Sequence, residues 1–512
     1  MPSEKRRFVV NTALTGLSQF AAMLSSIVFM PFLIDAFGIG TYGLFMLASS
    51  ITAYAALLDL GVGSALTKMV AQYAAEDDSA AMSGAVSSAL SFYCVAGLVV
   101  ALGMLLVGMA TGLIFNVDER GAILLRNMLW LGAAFQLWYW PASTARYVLA
   151  GFQRYDILAK TGLLATVFSI GAIGVVLVTG RGPVLLVGLL GLATTAVSLV
   201  NIGVARRLAV GVPVSVSRAS RSHLRAIFVF SWAVFVIQLS DVLFYQQTDR
   251  VILGVFASAA AVGLYEAAAK FNALVTYVSG LTVSAVLPLA SSMEAQGRHA
   301  SLRSLFMRGT KYIAALVAPV SLILMLLAEP IVRAWLGAGF VGQGLVAAVL
   351  LLPHALVCLG LMGDAIVISK GRIAARIPYV IAQTVLNVAL SAVLVVKFGV
   401  IGVAIGTAVA HLVDFPFHMR FLLKEARIPL RDWLREVVAP VYPQLVVPLG
   451  IGFGLRTSGI VSTLPGVGAL ALVMLGAYWT TVYATGLSPA EREEIRNLAS
   501  SAVARLRGGS SA

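Results

Sequence analysis

Residues 84–115 read GAVSSALSFYCVAGLVVALGMLLVGMATGLIF and contain no charged side chain. A helix of about 20 apolar residues crosses the roughly 30 Å hydrocarbon layer of a bilayer, because its backbone polar groups are satisfied within the segment. This stretch is long enough to cross. It therefore predicts a membrane-spanning helix and provides a template for reading the rest of the chain.

The whole chain has the composition of an integral membrane protein. Of its 512 residues, 60% are hydrophobic and 11% are charged, whereas about a quarter of the residues in soluble domains are charged. A water-soluble globule cannot hide so much apolar surface. Disordered chains are poor in aliphatic residues, and the 48 glycines follow no three-residue period, so disorder and a collagen helix are also excluded.

Scanning the chain with the spanning template gives fourteen candidate helices. They cover residues 9–34, 41–65, 84–115, 122–150, 157–179, 184–205, 226–247, 259–289, 309–332, 343–368, 375–397, 400–422, 438–456 and 464–486. The thirteenth is the weakest, because it contains Pro440, Pro443 and Pro448. Twelve spans plus a re-entrant or interfacial piece is therefore the alternative.

Basic residues are divided unequally between the two sides of this predicted topology. Most of the 36 Lys and Arg residues fall on the side that holds Lys5, Arg6 and Arg7, which is the pattern of cytoplasmic loops. Both termini are therefore predicted to be cytoplasmic, and the net charge of +14 reflects anionic lipid rather than nucleic acid. The first apolar run is too long for a signal peptide and is interpreted as an uncleaved span.

Two segments outside the spans, 424–437 and 488–507, are amphipathic and are predicted to lie along the membrane surface. The second begins with a capping signal. Ser488 can cap the helix, Pro489 suits its first turn, and Glu491 follows three residues after the serine.

An internal repeat relates two parts of the chain. Tyr42-Gly43-Leu44-Phe45 begins span two, and Val262-Gly263-Leu264-Tyr265 begins span eight 220 positions later. Six spans separate the copies, and an even number preserves their orientation in the membrane. We therefore predict an all-α polytopic membrane fold of two six-helix lobes in a pseudo-two-fold arrangement, with two extra C-terminal spans.

The repeat also sets predicted domain boundaries. They are an N-terminal lobe, a cytoplasmic linker, a C-terminal lobe, a part with the amphipathic segment and spans thirteen and fourteen, and a cytoplasmic tail, at residues 1–208, 209–225, 226–424, 425–487 and 488–512. Repeat-built transporters bind substrate between their halves and expose it alternately to each side of the membrane.

Several short motifs, spread over the whole chain, resemble those of a known family. They are Asp59-Leu60-Gly61, Asp249-Arg250, Val262-Gly263-Leu264-Tyr265 with Ala269-Lys270, and Ala328-Glu329-Pro330 ahead of Arg333 and Trp335. In these the chain resembles Wzx-like flippases of O-antigen and exopolysaccharide. That family belongs to the superfamily of the MATE drug exporters, MurJ and the oligosaccharidyl-lipid transporters.

The resemblance implies a function and its partners. It implies that undecaprenyl-diphosphate-linked oligosaccharide is flipped across the bacterial inner membrane by alternating access. Membrane lipid, a coupling proton or sodium ion, and the polymerase and glycosyltransferases of the same pathway are the implied partners. The centre of span one offers only Ser18, Gln19 and Ser25, without the acid of the MATE pattern or the arginines of MurJ.

Other functions are less well supported by the residues. A MATE-like ion-coupled drug exporter and a lipid II-type flippase are the alternatives within transport. An enzyme is not expected, because a glycosyltransferase or polymerase needs catalytic groups in a large loop. A non-transporting scaffold is the remaining alternative. No cofactor or metal is expected, since the histidines are scattered, Cys94 and Cys358 lie in apolar runs, and no P-loop is present.

Ionisable residues inside the spans are candidate site residues, because each costs at least ~2.5–3.5 kcal/mol to insert. Lys270 falls near the middle of span eight, and Glu266 lies one turn away. One interpretation is an i,i+4 ion pair that neutralises two charges. The other is that Lys270 attracts the diphosphate of the substrate while Glu266 holds the lysine in place.

Three arginines and two tryptophans complete the predicted substrate site. Arg126 lies in span four with Trp138 and Trp140, whose rings either stack on sugars or form an interfacial belt. Arg250 and Arg333 fall near the outer surface. We expect Arg250 to pair with Asp249 or a carbonyl group, and Arg333 to guide the departing headgroup.

Candidates for ion coupling are Asp241 in span seven, Asp364 in span ten, and His411 with Asp414 in span twelve. A histidine one turn from an aspartate titrates near neutral pH and can relay protons. The alternative is a hydrogen-bonded pair that joins two helices. His354 follows Pro353, where we expect a kink and a histidine satisfied by a local hydrogen bond.

Overall fold

The computed structural model describes residues 4–229, 231, 235, 248–455 and 463–508. Within these ranges the side chains at 4–15, 281–285, 288, 373–374, 498–499 and 501–508 are left out. The described chain is helical and contains no strand. The predicted all-α class is therefore confirmed for the part that the structure describes.

Eighteen helices whose bounds lie within the described residues organise the chain, and residues 221–229 are helical as well. In order they are α1 (Glu4–Val28), α2 (Met30–Phe37), α3 (Ile39–Tyr54), α4 (Val62–Ala75), α5 (Ser79–Met109), α6 (Glu119–Gly151), α7 (Tyr155–Thr179), α8 (Pro183–Leu208), α9 (Thr248–Phe256), α10 (Ala259–Ala295), α11 (His299–Leu336), α12 (Gln343–Leu351), α13 (Leu361–Ser369), α14 (Ile377–Phe398), α15 (Val400–Ala426), α16 (Val446–Leu455), α17 (Leu464–Thr481) and α18 (Pro489–Gly508). Single turns occur at Ala55–Asp59, Thr111–Ile114, Val216–Arg218, Ala338–Phe340, His354–Val357, Ile373–Arg376, Leu430–Trp433, Leu434–Val438, Pro443–Leu445 and Val482–Gly486.

Backbone contacts divide the chain into two compact units. The first unit consists of Met1–Lys270 with Val380–Thr407, and the second of Phe271–Tyr379 with Ala408–Ala512. The lobe boundaries at 208 and 226 stay a prediction from the internal repeat.

Ten segments of the described chain are long and apolar enough to cross a membrane, or eleven if one bent pair is a single span. They are Gly16–Phe37, Ile39–Asp59, Ser79–Met109, Tyr155–Thr179, Pro183–Leu208, His299–Leu336, Ile377–Phe398, Val400–Ala426, Leu430–Leu455 and Leu464–Gly486, with the bent pair Gln343–Val357 and Leu361–Ser369. The long helices α6 and α10 occupy predicted spans four and eight. Predicted span seven lies mostly outside the described residues.

The predicted kink in span ten is confirmed. Its two helical parts meet at an angle of 54°, with the break between Val357 and Leu361. Proline disrupts the hydrogen bonding of a helix interior, and Pro353 lies just before the break. His354 contacts the side-chain oxygen of Asn272 on α10 through its Nε2 atom, so the histidine has a hydrogen-bond partner, but on another helix rather than at the kink itself.

The sequence predicts that the segment 424–437 lies along the membrane surface as one amphipathic helix. The structure does not contain this continuous helix. Helix α15 ends at Ala426, and a new turn begins at Leu430 and leads into the candidate span Leu430–Leu455. Trp433 is buried in this turn. Protein therefore covers Trp433, whereas Leu430 and Leu434 on either side of it are exposed.

The N-terminus of α18 has the predicted capping box. The Glu491 carboxylate accepts a hydrogen bond from the Ser488 backbone at 2.8 Å, and the Ser488 hydroxyl accepts one from the Glu491 backbone at 3.3 Å. The same carboxylate forms a buried ion pair with Lys311 of α11 at 2.8 Å. One glutamate therefore starts α18 and attaches it to α11 within the second unit.

Acid is expected to release α18. Burial of the Glu491 carboxylate opposes its ionisation, but the bonds from Lys311 and Ser488 hold its pKa below the usual range. A lowered pKa stabilises the folded state at neutral pH, and that stabilisation is lost as the pH falls through the lowered value. Hydrogen exchange of the α18 amides should accelerate below about pH 4, after correction for the intrinsic rate.

Lys311→Ala provides the control for this pH dependence. In this variant the amide hydrogens of α18 should already exchange fast at neutral pH. Acid should accelerate their exchange only a little further. An α18 equally protected at neutral pH in this variant would contradict the role of the ion pair.

Candidate functional site

The predicted residues Glu266 and Lys270 meet a third charged residue, Arg250, in the first unit. Glu266 and Lys270 lie one turn apart on α10, and Arg250 lies near the start of α9. We call Arg250, Glu266 and Lys270 the charge cluster. The sequence predicts the pair on α10 from its spacing, but not the arrival of Arg250 from another helix.

One carboxylate of the charge cluster holds two cations. Glu266 Oε2 lies 2.7 Å from Nη2 of Arg250, and Glu266 Oε1 lies 2.8 Å from Nζ of Lys270. The glutamate side chain is 2% exposed, and each cation is 15% exposed. The cluster therefore carries a net positive charge that is mostly withdrawn from solvent, where electrostatic interactions are strong.

Two serines extend the cluster to neighbouring helices. Nζ of Lys270 donates to the Ser26 hydroxyl of α1 at 3.4 Å, and Nη1 of Arg250 donates to the Ser50 hydroxyl of α3 at 3.4 Å. Both bonds are long. They orient the two cations, and a hydroxyl group brings no charge that would neutralise them.

The predicted pairing of Arg250 with Asp249 is corrected to an ion pair with Glu266, and a bond from Arg250 to a carbonyl group stays a prediction. Asp249 instead accepts hydrogen bonds from the hydroxyls of Tyr265 and Thr407, the latter at 2.9 Å. Neighbouring residues on a helix point in different directions and do not face each other. Asp249 therefore joins α9 to α10 and α15 while Arg250 turns to the cluster.

Glu266→Ala is expected to lower the free energy of unfolding by about 3–5 kcal/mol, because it leaves two buried cations without their shared carboxylate. The midpoint of thermal unfolding in detergent measures the loss. The double variant Glu266→Ala/Lys270→Ala should recover part of it. Glu493→Ala, at an exposed position of α18, serves as the control. Equal midpoints for Glu266→Ala and the control would contradict a structural contribution of the ion pairs.

Helices α3 and α10, which carry the two copies of the internal repeat, cross each other at one glycine on each helix. A Cβ atom on Gly43 would overlap the carbonyl oxygen of Ala259, and one on Gly263 would lie 2.6 Å from the carbonyl oxygen of Ile39. The offset of 220 that relates the two glycines also relates Ile39 to Ala259, so the contact is reciprocal. At this glycine crossing α3 and α10 approach closely, one turn before Glu266.

A cavity of about 650 Å³ lies in the first unit between α3, α6 and α8. Trp138 and Trp140, both predicted from sequence, border it. Trp138 is 40% exposed, whereas Trp140 is buried. Asp59, Arg146 and other polar side chains complete the wall, so the cavity is aromatic and polar rather than purely apolar.

Asp59, which lines this cavity and is itself buried, binds two tyrosines. Its Oδ1 atom accepts hydrogen bonds from Tyr93 at 2.6 Å and Tyr147 at 3.2 Å. The two rings stack with centroids 5.9 Å apart. Leu60 and Gly61 adopt positive φ angles of 50° and 77°, which end one helix and start the next. This backbone turn fixes the position of Asp59.

The sequence identifies Asp59-Leu60-Gly61 only through resemblance and misses its partners. A positive φ favours glycine, so the Leu-Gly pair after an aspartate is a signal for a turn. Nothing in the sequence spacing points to Tyr93 and Tyr147, since they lie on α5 and α6.

The other two predicted cations are Arg126 and Arg333. The guanidinium carbon of Arg126 lies 5.1 Å from the ring centroid of Trp130, which is a cation–π geometry. Arg333 is exposed in the last turn of α11. Their roles toward substrate stay predictions.

Of the ion-coupling candidates, Asp364 is held in a three-residue cluster of the second unit. Its Oδ1 atom lies 2.7 Å from Nη1 of Arg376 and 2.9 Å from Nε2 of His418. The sequence misses His418, which lies one turn beyond Asp414. His411 and Asp414 are partly buried on α15, and their relay stays a prediction. Asp241 lies outside the described residues.

Within the part of the chain that the structure describes, no three His, Cys, Asp or Glu residues are grouped so that they could bind a metal ion.

Sequence comparison decides the family. The family described as "Polysaccharide biosynthesis protein" matches residues 8–294, which is more than half of the chain. The chain belongs to this family. The resemblance that the sequence motifs indicate is therefore confirmed for this member of the polysaccharide biosynthesis family.

A curated relative of this family member is the probable low-salt glycan biosynthesis flippase Agl15 of Haloferax volcanii. It is 24% identical over 276 residues, which cover 53% of this chain and 56% of the relative. The chain thus spans about half the length of the curated relative that it matches.

Two solved structures share the fold. The inward closed conformation of the lipid II flippase MurJ aligns with a TM-score of 0.67 and 14% identity, over 92% of this chain and 98% of MurJ. An inward-facing multidrug resistance MATE family transporter of the MOP superfamily aligns with a TM-score of 0.60 and 16% identity, over 81% and 95%. At these identities the likeness shows a polytopic membrane fold and no more.

Proposed function

We propose that this protein flips an undecaprenyl-diphosphate-linked oligosaccharide across the bacterial inner membrane for surface polysaccharide biosynthesis. The observation that carries the proposal is the charge cluster, where two largely buried cations share one carboxylate. Membership of the polysaccharide biosynthesis family and the glycan flippase named among the relatives support it. The protein acts as a transporter, and we assign it no catalytic step.

The charge cluster suits a diphosphate that must be both captured and released. A guanidinium and an ammonium donate charge-assisted hydrogen bonds to phosphate oxygens. Glu266 lies 2.7 and 2.8 Å from these donors. A diphosphate replaces the Glu266 carboxylate as the anionic partner of the two cations when it binds, and the carboxylate returns when the diphosphate leaves. The cations therefore have an anionic partner before and after transport.

We propose a topology that gives the glycine crossing a role. In it the chain has fourteen spans in two six-helix lobes plus two, with both termini cytoplasmic. The N-terminal ends of α3 and α10, where Gly43 and Gly263 cross, then lie at the outer side of the membrane. The crossing is the closed outer end, and it separates when the headgroup leaves.

Energy comes from a proton or sodium gradient in this proposal. Asp241, Asp364, His411 and Asp414 are the coupling candidates, and Asp364 contacts Arg376 and His418. Arg126 and Arg333 are proposed secondary contacts for the headgroup. The polymerase and glycosyltransferases of the same pathway are the proposed partners.

Reconstitution tests the proposal. Purified protein in liposomes should transfer undecaprenyl-diphosphate disaccharide between leaflets, and protein-free liposomes should not. Transport of a cationic dye with no transfer of the glycolipid would favour the drug exporter instead. Transfer of lipid II alone would favour the lipid II-type flippase.

A further inference from the structure

The geometry points to a carbohydrate subsite in the cavity between α3, α6 and α8, which takes the first sugars of the glycan while the charge cluster takes the diphosphate. This inference rests on the proposed function and adds to it a place where the saccharide is recognised. About 650 Å³ suits a drug-sized ligand. The cavity therefore holds a short saccharide rather than a polymer.

The hydroxyl groups of the cavity wall act as acceptors. Each donates its hydrogen to a backbone carbonyl of its own helix and keeps its lone pairs. The residues are Ser49, Thr52, Ser143, Thr194 and Thr195. These hydroxyl oxygens give the mainly apolar wall several acceptors, which a ligand rich in donors can satisfy. Sugar hydroxyls supply such donors, and a hydrocarbon tail does not.

Asp59 adds a directed acceptor to the cavity wall. Both of its hydrogen bonds go to Oδ1, and no partner for Oδ2 occurs among the described residues. Because Tyr93 and Tyr147 fix the carboxyl group, Oδ2 is held in place at the cavity wall. It can accept from a sugar hydroxyl without reorganising.

The indole of Trp140 provides the complementary donor. The side chain is 4% exposed and borders the cavity. Its Nε1 atom is buried and has no hydrogen-bond acceptor in the part of the chain that the structure describes. Buried N–H groups are nearly always paired, and a turn of the indole toward the cavity would bring this donor to a ligand oxygen.

Aromatic rings at the cavity complete the chemistry. Trp138 and Tyr139 border it and are 40% and 36% exposed. Exposed rings of this kind present an apolar face on which a sugar ring stacks. Arg146 lies in the same wall. Its positive charge disfavours a cationic amphiphile as the occupant.

Two lipid probes separate the subsite from the charge cluster. One is undecaprenyl diphosphate with a disaccharide, and the other is undecaprenyl diphosphate without sugar. Trp138→Ala should slow transfer of the glycosylated probe in proteoliposomes by about tenfold, because the stacking contact is lost. The sugar-free probe should be transferred at the wild-type rate.

Two further variants keep this test decisive. Trp479→Ala removes an equally exposed tryptophan, 39% against 40%, from α17 in the other unit and should change neither rate. Asp59→Asn keeps the side-chain shape and should slow only the glycosylated probe. Thermal unfolding of each variant in detergent identifies any loss of folded protein.

Several results would overturn the inference. An equal loss for both probes in Trp138→Ala and Asp59→Asn, or no loss, would show that the cavity does not read the sugar. If the wild-type protein transferred the two probes at equal rates, the carbohydrate subsite would also be refuted. The proposal that the charge cluster binds the diphosphate would be unaffected. Transfer of neither probe by the wild-type protein would remove the proposed function and this subsite together. If Trp138→Ala and Asp59→Asn lost only the transport of rhodamine, a cationic dye, the cavity would be assigned to cationic dyes.

Discussion

Lys270→Ala should slow transfer of the glycosylated diphosphate lipid by about a hundredfold, while the variant still folds in the membrane. Removal of the ammonium leaves Arg250 and Glu266 as a neutral pair at 2.7 Å. The cluster then has no net charge to attract an anion. No buried charge is left alone, so the variant should fold, in contrast to Glu266→Ala.

Transfer in proteoliposomes and thermal unfolding in detergent together measure this effect. Lys397→Ala removes an exposed lysine at the end of α14 and should behave as the wild type. Lys270→Arg retains the charge and should recover a substantial part of the rate. A wild-type rate in Lys270→Ala would remove this residue from the mechanism and leave the ion pair with a purely structural role.

Gly43→Ala should lower transfer by at least about tenfold, and Gly263→Ala should act in the same direction. A single methyl group at Gly43 overlaps the carbonyl oxygen of Ala259. The proposed outer end then cannot close. Alanine favours helix over glycine by about 0.5–1 kcal/mol, so a loss of function cannot come from a weaker helix.

Gly40→Ala is the matched control, because it lies on the same helix and a Cβ atom there meets nothing within 4 Å. Ala53→Cys, at a cavity-lining position of α3, reports on closure in a background with Cys94→Ala and Cys358→Ala. An impermeant maleimide added outside should label it faster in Gly43→Ala than in Gly40→Ala. Equal labelling and equal transfer in the two variants would refute the closing role of the crossing.

Local sequence signals predict the helices well. Apolar length is a property of each segment alone, and so is the capping box at Ser488 and Glu491. The kink at Pro353 is equally local, because proline cannot complete its own helical bonds. The segment 424–437 fails for the complementary reason. Its amphipathic pattern does not tell whether lipid or protein covers the apolar face.

The candidate site is predictable only where its members share a helix. Glu266 and Lys270 are four residues apart, so helical geometry alone brings them together. Arg250 belongs to a different helix, and the sequence assigns it the wrong carboxylate. In the same way Asp364 pairs with His418, whereas the sequence offers only the pair within α15, His411 and Asp414.

The sequence by itself determines that this chain is helical, that it is made for a bilayer, and that one of its helices carries an acid and a base side by side. Those properties follow from apolar length and helical period, which act over a few turns. Only the tertiary structure decides that a second cation joins Glu266, that Gly43 and Gly263 cross reciprocally, and that Asp59 orders two tyrosines beside a cavity. Contacts between helices depend on how distant segments pack, and no local period of the sequence encodes that packing.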